Sequence, residues 1–519
     1  MILLEAQHIK HYVKDRLLLN VDQLSIQQKD RIGLIGRNGC GKTTLLNMLA
    51  EKIVPEEGTV TQHTSCTLLP QLKKTDTTKS GGEVTQEYIQ KAFFSNPELL
   101  LADEPTTHLD TDHIEWLEKK LSDWQGAFVI VSHDRAFLDA LCTTIWEIDD
   151  GKIKIYKGNY NDYAAQKERE RSEQQSAYEN YEKKKRQLEE ALIRKERKAQ
   201  RATKKPKNVN LSESKGQEPY FAKKQKKLQK TANAIETRLE KLEVVEKVNA
   251  PQPLKMNLPD AETIRNRMII RAEDLSGSID ERILWQNTSF FVRGGDKLAI
   301  IGPNGSGKTT LIKKLINQEV GITTSPSIKI GYFSQNLNIL DEEKSILENV
   351  QATSKQQETL IRTVLARMHF FKEDVSKRVG VLSGGERTKV ALTKVFLSDL
   401  NTLILDEPTN YLDMEAVGAL EALLKAYEGS VLFVSHDRRF IENIATRILE
   451  IRHQTIRIFE GTYRQWQQAK PMNHNEKKEK RLLLETKITE VLSRLSIEPS
   501  EALEQAFQRL LEEKRAMKD

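Results

Sequence analysis

Short apolar runs that end in glycine, a carboxylate or a histidine recur along this chain and predict buried strands. The alternating run RIGLIG, residues 31–36, leads into a glycine-rich loop and then into the helical pattern LLNMLA. Further runs, LLLA before Asp103 and AFVIVS before His133, have the length of strands. Strands interleaved with helical patterns are typical of an α/β fold.

The same succession of motifs returns in the second half of the chain. In both copies the serine of an SGGE motif precedes a pair of adjacent carboxylates by 23 residues, and that pair precedes a histidine by 30. An internal repeat of this order and spacing predicts two similar α/β units. Because 519 residues exceed what one hydrophobic core accommodates, we expect several segments. The two units cover 1–157 and 268–470, a helical hairpin linker covers 158–267, and a C-terminal helical extension covers 471–519.

Each copy contains a glycine-rich loop with the composition of a phosphate-binding P-loop, set between a strand and a helix. Its glycines let backbone N–H groups turn inward around phosphate oxygens, its lysine reaches the β- and γ-phosphates, and its first threonine can ligate Mg²⁺. The nucleotide-binding residues are Gly36, Asn38, Gly39, Gly41, Lys42, Thr43 and Thr44 in the first copy, and Gly302, Asn304, Gly305, Gly307, Lys308, Thr309 and Thr310 in the second. We therefore expect two P-loop NTPase domains with ATP and Mg²⁺ as cofactors.

The adjacent carboxylates Asp103 and Glu104 end a predicted strand of the first copy. Phosphoryl transfer needs charge neutralisation and a positioned nucleophile, so Asp103 is expected to hold Mg²⁺ through water and Glu104 to polarise the attacking water. His133 follows the next strand, where it can contact the γ-phosphate. The corresponding residues of the second copy are Asp406, Glu407 and His436. Both copies are thus predicted to hydrolyse ATP.

The motifs Ser80-Gly81-Gly82-Glu83 and Ser383-Gly384-Gly385-Glu386, together with the P-loops, resemble the ATP-binding cassette superfamily. The resemblance implies that the serine and glycines of one cassette cap the γ-phosphate of ATP held by the other. The implied pairs are Lys42 and Glu104 with Ser383, and Lys308 and Glu407 with Ser80. It also implies Q-loop glutamines at Gln71 and Gln335, D-loops at Leu109-Asp110 and Leu412-Asp413, an adenine-stacking Tyr12, and a metal set of Thr43, Gln71, Asp103, Thr309, Gln335 and Asp406.

The two copies differ in length and in their signature motifs. The interval between the Q-loop glutamine and the SGGE serine is 9 residues in the first copy and 48 in the second, so about 39 residues are missing. In the superfamily that interval is a helical subdomain through which transporter cassettes dock on membrane partners, and its loss argues against a pump. The first signature carries Lys79 and Val84 where the family usually has a leucine and a basic residue. In the second copy, aligning Arg16 with Arg282 puts Ser278 at the position of the adenine-stacking tyrosine.

The segment between the units, residues 158–246, is long and highly charged. From Lys183 to Lys230, 18 Lys and Arg against 5 Asp and Glu give a net charge of +13, whereas the whole chain carries +6 and the remainder therefore −7. This block predicts a polyanion such as nucleic acid as the partner, and a solvated coiled-coil face is the alternative. We expect a first helix to about Lys205 and a second from about Tyr220, joined by a loop over 206–219.

Apolar residues at alternating steps of three and four predict that these helices pack as a hairpin about 65 Å long. The stripes are Tyr178, Tyr181, Leu188 and Leu192 on the first helix, and Leu228, Ala232, Ile235, Leu239 and Leu242 on the second. A shorter hairpin is predicted in the C-terminal extension, either to dock on the second cassette or to contact RNA. Its stripes are Leu484, Ile488, Val491 and Leu495, and Leu503, Phe507 and Leu510, with a turn at Pro499.

Composition predicts a soluble protein of the cytoplasm. No window approaches the roughly 18 to 20 apolar residues that a membrane helix needs, and the start MILLEAQHIK carries charge where a signal peptide needs an apolar run. The three cysteines, Cys40, Cys66 and Cys142, are scattered and indicate neither a disulfide framework nor a zinc site.

Two cassettes in one chain, no membrane span and a charged helical linker resemble the ABC-F family of ribosome-associated ATPases. The shortened first cassette, the extended linker tip and the C-terminal extension are similar to its Vga-type antibiotic-resistance members. The resemblance implies a monomer that binds the ribosome at the exit-tRNA site in the ATP state, near large-subunit rRNA and tRNA. It also implies displacement of lincosamide, streptogramin A and pleuromutilin drugs from the peptidyl-transferase centre. A housekeeping ABC-F factor, the ATPase of an efflux pump and a DNA-processing ATPase are the alternatives.

Overall fold

Two α/β units and a pair of long helices make up the part of the chain that the computed structural model describes. That part comprises residues 1–13, 15–71, 81–95, 97–107, 109–202, 211–245, 265–279, 282–334 and 339–469. The expected α/β class, with two tandem units and a helical linker, is confirmed. Ser80, Gln335, residues 206–210 of the expected loop, residues 246–264 of the linker and the extension over 471–519 lie outside the described residues.

The first unit combines a six-stranded sheet with a smaller antiparallel one. Its strands are β1 (Ile2–Val13), β2 (Arg16–Gln27), β3 (Arg31–Gly36), β4 (Glu57–Gln62), β5 (Cys66–Leu69), β6 (Leu99–Asp103), β7 (Ala127–Val131), β8 (Thr144–Asp149) and β9 (Lys152–Lys157). Its helices are α1 (Lys42–Leu49), α2 (Gly81–Phe94), α3 (Thr111–Ser122) and α4 (Arg135–Leu141). The larger sheet has the order β5-β6-β7-β3-β8-β9, with β9 antiparallel to its neighbour, and the smaller has the order β2-β1-β4.

The linker, called the arm below, forms two helices, α5 (Tyr160–Ala202) and α6 (Leu211–Glu240), that pack against each other. The packing stripes expected from the sequence are confirmed, since their large apolar residues are half-buried in an otherwise exposed pair of helices. Two small residues of the arm are buried: Ala199 and Ala232 are only 6% and 5% exposed.

The expected start of the second arm helix near Tyr220 is wrong. The helix begins at Leu211 and continues through Pro219. A proline inside a helix removes one hydrogen bond and crowds the preceding turn, which usually kinks the helix without ending it when the rest is held by packing. Residues 211–219, which the sequence assigned to the connecting loop, are therefore helical.

The second unit repeats the first, with additional helices. Its strands are β10 (Met268–Ile279), β11 (Arg282–Arg293), β12 (Lys297–Ile301), β13 (Ile322–Thr324), β14 (Ile330–Phe333), β15 (Thr402–Asp406), β16 (Ser430–Val434), β17 (Arg447–Arg452) and β18 (Thr455–Glu460). Its helices are α7 (Lys308–Asn317), α8 (Ile346–Gln351), α9 (Glu358–Arg367), α10 (Gly384–Leu397), α11 (Met414–Ala426), α12 (Arg438–Ile444) and α13 (Tyr463–Ala469), with 3₁₀ turns at Lys372–Ser376 and Val379–Val381. The sheet orders are β14-β15-β16-β12-β17-β18 and β11-β10-β13.

The sheets bring the distant sequence motifs to one edge. Strands β6 and β7 are buried at every position, as expected for parallel strands covered by helices on both faces. Because β6, β7 and β3 are neighbours, the carboxylate pair, the histidine and the P-loop that follow them converge at their carboxyl ends. The neighbours β15, β16 and β12 produce the same arrangement in the second unit.

The extra interval of the second unit folds as α8, α9 and the 3₁₀ turns, which pack on α10 and contribute to its core. The shortened interval of the first unit falls on residues 72–80, outside the described residues. None of the helices in the described part of the chain is long and apolar enough to cross a membrane.

Candidate functional site

Both P-loops wrap around the ammonium group of their lysine. Lys42 Nζ donates to the carbonyl oxygens of Gly36 at 2.7 Å and of Arg37 at 3.0 Å, and Lys308 makes the equivalent bonds in the second unit at 2.9 and 3.0 Å. Gly307 caps the following helix at a φ of 97°, and a Cβ there would lie 2.2 Å from the ring of Trp285. Only glycine satisfies both the backbone and the space at this position.

The predicted catalytic glutamates lie against the predicted histidines. Glu104 Oε2 accepts a hydrogen bond from the backbone N–H of His133 at 3.3 Å, and Glu104 Oε1 lies 3.4 Å from the Nε2 atom of His133. In the second unit, Glu407 Oε1 lies 3.3 Å from the Nε2 atom of His436. Each glutamate also adopts a left-handed backbone, with φ values of 51° and 50°. The structure thus brings the carboxylate and the imidazole together at both sites.

Burial determines the protonation of these groups. It raises the pKa of Glu104 to about 8 and that of Glu407 to about 7, although the nearby P-loop lysines oppose the shift. Burial, reinforced by the same lysines, lowers the pKa of both His133 and His436 to about 3. The imidazoles are therefore neutral at pH 7, and the carboxylates are close to the midpoint of their titration.

The residues predicted to hold Mg²⁺ have a suitable donor set. Thr309 Oγ1 donates to Asp406 Oδ2 at 2.9 Å, and the Thr43 hydroxyl bonds Asp103 in the same way. Asp103 Oδ2 is buried and accepts no hydrogen bond from the residues that the structure describes. A hydroxyl beside an unsatisfied carboxylate oxygen fits a hard cation such as Mg²⁺.

The two units close on each other around a shared cavity of about 1600 Å³. Asn38 of the first P-loop donates through Nδ2 to the carbonyl of Tyr411 at 2.9 Å, while Asn304 of the second donates through its backbone N–H to Asp110 at 2.9 Å. A Cβ on Gly385 would lie 3.4 Å from Asn38 Nδ2, so the second SGGE motif faces the first P-loop. Lys42 and Ser383, which the resemblance pairs, both line this cavity.

Most of the predicted site residues line this cavity. They are Asn38, Gly39, Gly41, Lys42, Thr43, Thr44, Gln71, Asp103, Glu104, His133, Asn304, Gly305, Gly307, Lys308, Thr309, Thr310, Ser383, Gly385, Asp406, Glu407 and His436. Gly36, Gly302 and Gly384 lie beside the lining, and Gly81 and Gly82 begin α2. Tyr12 is 39% exposed on β1 and does not line the cavity. The register, with Val13 opposite Arg16 and Ile279 opposite Arg282, confirms the alignment that places Ser278 at the tyrosine position.

Sequence reasoning missed several residues of the first site. Buried Lys389 of α10 pairs with the D-loop carboxylate of Asp413 at 3.1 Å. Glu415 lies 3.4 Å from both Arg37 of the first P-loop and His369, which follows α9 in the extra interval of the second unit. Comparing the two signature helices position by position would have revealed Lys389, whereas the other pairs join distant parts of the sequence and leave no local signal.

Comparisons with known proteins agree with this architecture. A family model described as ABC transporter matches residues 19–75 and 285–410, and a second model with the same description matches 146–257. The chain is 35% identical to the erythromycin resistance ATP-binding protein MsrA of Staphylococcus epidermidis, over 87% of this chain and 98% of that protein. It is 31% identical to the ribosome protection protein VmlR of Bacillus subtilis, over 97% and 96% of the two chains. A solved structure of an RNase-L inhibitor has the same fold, with a TM-score of 0.59, 16% identity and coverage of 88% and 91%.

The paired P-loops, the signature motifs and the parallel sheets define an ATP-binding cassette ATPase, which binds and hydrolyses ATP. More narrowly, the chain belongs to the ABC-F family.

Proposed function

We propose that this protein is a Mg²⁺-dependent, ribosome-binding ATPase that protects ribosomes from antibiotics of the peptidyl-transferase centre. In this proposal ATP closes the cassettes and fixes the arm in a geometry that inserts near the exit-tRNA site, and hydrolysis opens them and releases the protein. The proposal includes lincosamides, streptogramin A and pleuromutilins as the drugs. Support comes from the names of two relatives, one a ribosome protection protein and one an erythromycin resistance protein.

The proposal rests on one observation: the long arm is joined directly to a pair of cassettes that enclose two nucleotide sites. The last strand of the first cassette, β9, is followed within three residues by α5, which runs for 43 residues away from the sheets. At about 1.5 Å per residue this helix spans about 65 Å. Most Lys and Arg side chains along it are exposed, as phosphate contacts require. A change at the nucleotide sites can therefore act far from the cassettes.

The proposed chemistry uses residues on both sides of the interface. Lys42 and Lys308 would exchange their loop carbonyls for phosphate oxygens, and the serine of the opposite signature would complete each site. Glu104 and Glu407 would take the role of base toward water, with the neutral histidine holding the carboxylate. Mg²⁺, when bound beside Asp103 and Asp406, would supply neutralisation of phosphate charge.

A double variant, Glu104→Gln with Glu407→Gln, tests this cycle. It should bind ATP without hydrolysing it, so the closed state should accumulate on ribosomes at about ten times the level seen with ADP. Sedimentation through a sucrose cushion with purified ribosomes measures the bound fraction. The control adds Lys42→Ala and Lys308→Ala, which remove phosphate binding and should leave the protein free. A double variant that sediments like the protein without nucleotide contradicts the proposal.

Cell-free translation distinguishes the proposed activity from its alternatives. With lincomycin present, the purified protein and ATP should restore translation, and the double glutamine variant should not. A housekeeping ABC-F factor would bind ribosomes without rescue, and a DNA-processing ATPase would respond to DNA instead. An efflux ATPase would lower drug content only in intact cells. Parallel reactions with a streptogramin A, a pleuromutilin and erythromycin would define the drug range.

A further inference from the structure

The first turn of the arm is held by an arginine from the opposite cassette. Arg439 Nη2 donates to the side-chain oxygen of Asn161 at 2.5 Å and lies 3.2 Å from Asp139 Oδ2. The same guanidinium lies over the ring of Tyr160, 5.3 Å from its centroid. Tyr160 and Asn161 are the first residues of α5, and Asp139 belongs to α4 of the first cassette. One side chain of the second cassette therefore contacts both the arm and the domain from which the arm emerges.

The first cassette alone already holds this turn in part. Asp139 accepts hydrogen bonds from Asn161, at 2.9 Å from its backbone N–H and 2.7 Å from its side-chain Nδ2. Arg439 adds a cation to this carboxylate and amide pair and covers the aromatic ring beside it. Hydrogen bonds between charged groups are stronger than neutral ones, and stacking on an aromatic ring fixes the plane of a guanidinium. The root of the arm thus gains its charged partner only when the cassettes meet.

The contact is one-sided, although the cassettes repeat each other. Asp134 and Asp437 cap equivalent helices, α4 and α12, so Arg439 corresponds to Ala136. The first cassette, which carries the arm, has alanine at this position, and the second, which faces the arm, has arginine. The arginine therefore occurs in the cassette whose closure can affect the arm.

Arg439 is also directly connected to the closed interface. It follows His436, Asp437 and Arg438, and Arg438 pairs with Glu118 of the first cassette in a nearly buried bidentate contact. The equivalent ion pair on the other side of the interface joins Arg135 of the first cassette to Glu421 of the second. The position of Arg439 is thus fixed by the same segment that carries the histidine of the second site.

We propose that Arg439 is the positioning residue through which cassette closure sets the direction of the arm. In the closed state Arg439 contacts Tyr160, Asn161 and Asp139, and this set of contacts is called the clamp below. When the cassettes separate, the clamp is lost and the first turn of the arm keeps only its contacts within the first cassette. Since α5 spans about 65 Å, a tilt of about 10° at its root moves its far end by about 11 Å. The inference rests on the proposed function for the purpose of the arm, but the clamp itself can be tested without ribosomes.

The test measures arm order in the full chain. Spin labels on Ile193→Cys in α5 and Val320→Cys in the second cassette report the distance between arm and cassette, and both positions are exposed. Burial raises the pKa of Cys66 to about 11 and of Cys142 to about 12, and raises that of Cys40, so the native thiols label slowly. In the double glutamine background, ATP should narrow the distance distribution. At saturating ATP, Arg439→Ala should reduce about tenfold the population of molecules in the narrow distance peak, as expected for one lost charge-assisted contact.

Arg452→Ala is the matched control. Arg452 makes an ion pair with Asp112 across the same interface at 2.5 Å, and it is 26% exposed, compared with 23% for Arg439. Its ion pairs involve no residue of the described part of the arm. It should leave the narrow distribution intact, and Arg439→Lys, which keeps the charge without the planar stacking, should give an intermediate one. Asn161→Ala, which removes the side-chain oxygen that accepts from Arg439 and leaves the ion pairs between the cassettes in place, should broaden the distribution as well.

The outcomes separate the clamp from the proposed function. A narrow distribution in Arg439→Ala, or equal broadening in Arg439→Ala and Arg452→Ala, overturns the inference. If the clamp behaves as expected but the unmodified protein fails to bind ribosomes, the proposed function is wrong and the clamp stands. Binding of a fluorescent ATP analogue, measured in parallel, should stay within about threefold of the parent, because Arg439 lies outside the nucleotide cavity.

Discussion

Glu104 and Glu407 combine two costs that a purely structural residue would not retain. A non-glycine residue in the left-handed region costs about 1–2 kcal/mol, and both glutamates occupy it. Each also has a buried Oε1 that accepts no hydrogen bond from the described residues. Strain and an unsatisfied carboxylate oxygen at both equivalent positions indicate that the surroundings hold these side chains ready for a water or a phosphate.

The raised pKa values predict a pH dependence for each site. Because a base must be ionised, turnover at Glu104 should fall as the pH drops through about 8, and turnover at Glu407 as it drops through about 7. Below its pKa each rate should fall about tenfold per pH unit. The profiles of Glu407→Gln and Glu104→Gln, which leave one glutamate each, measure the two sites separately. Flat profiles between pH 6 and about 9 would show that neither glutamate acts as a base.

The same shifts determine the sign of the effect on stability. A carboxyl whose pKa is raised by folding leaves the free energy of unfolding highest at low pH, where the group is protonated in both the folded and the unfolded state. The free energy of unfolding then falls as the pH rises from the pKa of the unfolded state, near 4.5, through the pKa of the folded state. At alkaline pH these two glutamates therefore lower the free energy of unfolding of the unmodified protein. The pH dependence of stability and that of turnover have opposite signs here, which is typical of a buried catalytic acid or base.

At the scale of elements, the positions of the nucleotide-binding motifs could be predicted better than the ends of the helices. The P-loops, the carboxylate pairs and the histidines were all located, because each follows a buried strand with a spacing that repeats. Pro206 and the polar run that ends at Pro219 predict a helix start near Tyr220, yet the second arm helix begins at Leu211. Local propensity is a weak guide where a long helix is held by a partner.

Contacts between elements could not be predicted, because sequence spacing does not contain them. Arg439 and Asn161 are separated by 278 positions, and their meeting depends on how one cassette closes on the other. Lys389 and Asp413 lie closer, but only the structure shows that the lysine of the signature helix neutralises the D-loop carboxylate. In the first cassette the equivalent carboxylate, Asp110, instead lies 2.6 Å from the ring of His113. The two sites therefore differ in their supporting contacts although their motifs match.

At the scale of the whole molecule, the missing interval of the first cassette makes the two nucleotide sites unequal. The first P-loop faces a cassette with the complete set of helices, whose residues Met368, His369 and Phe370 line the cavity. The second P-loop faces the shortened cassette. Glu415 lies 3.4 Å from both Arg37 of the first P-loop and His369, so we expect ATP bound at the first site to be held by additional residues of the longer cassette.

This inequality predicts slower nucleotide release from the first site. In the double glutamine background, Lys308→Ala leaves only the first P-loop with its phosphate-binding lysine. Lys42→Ala leaves only the second P-loop with its lysine. Release of a fluorescent ATP analogue, followed by stopped flow, should be about fivefold slower from Lys308→Ala, the effect of about one additional net hydrogen bond. Adding His369→Ala should remove most of the difference, because the imidazole that holds Glu415 beside Arg37 is then lost. Equal release from both variants would mean that the extra helices do not enclose the nucleotide, and faster release from Lys308→Ala would place the tighter site on the other side of the interface.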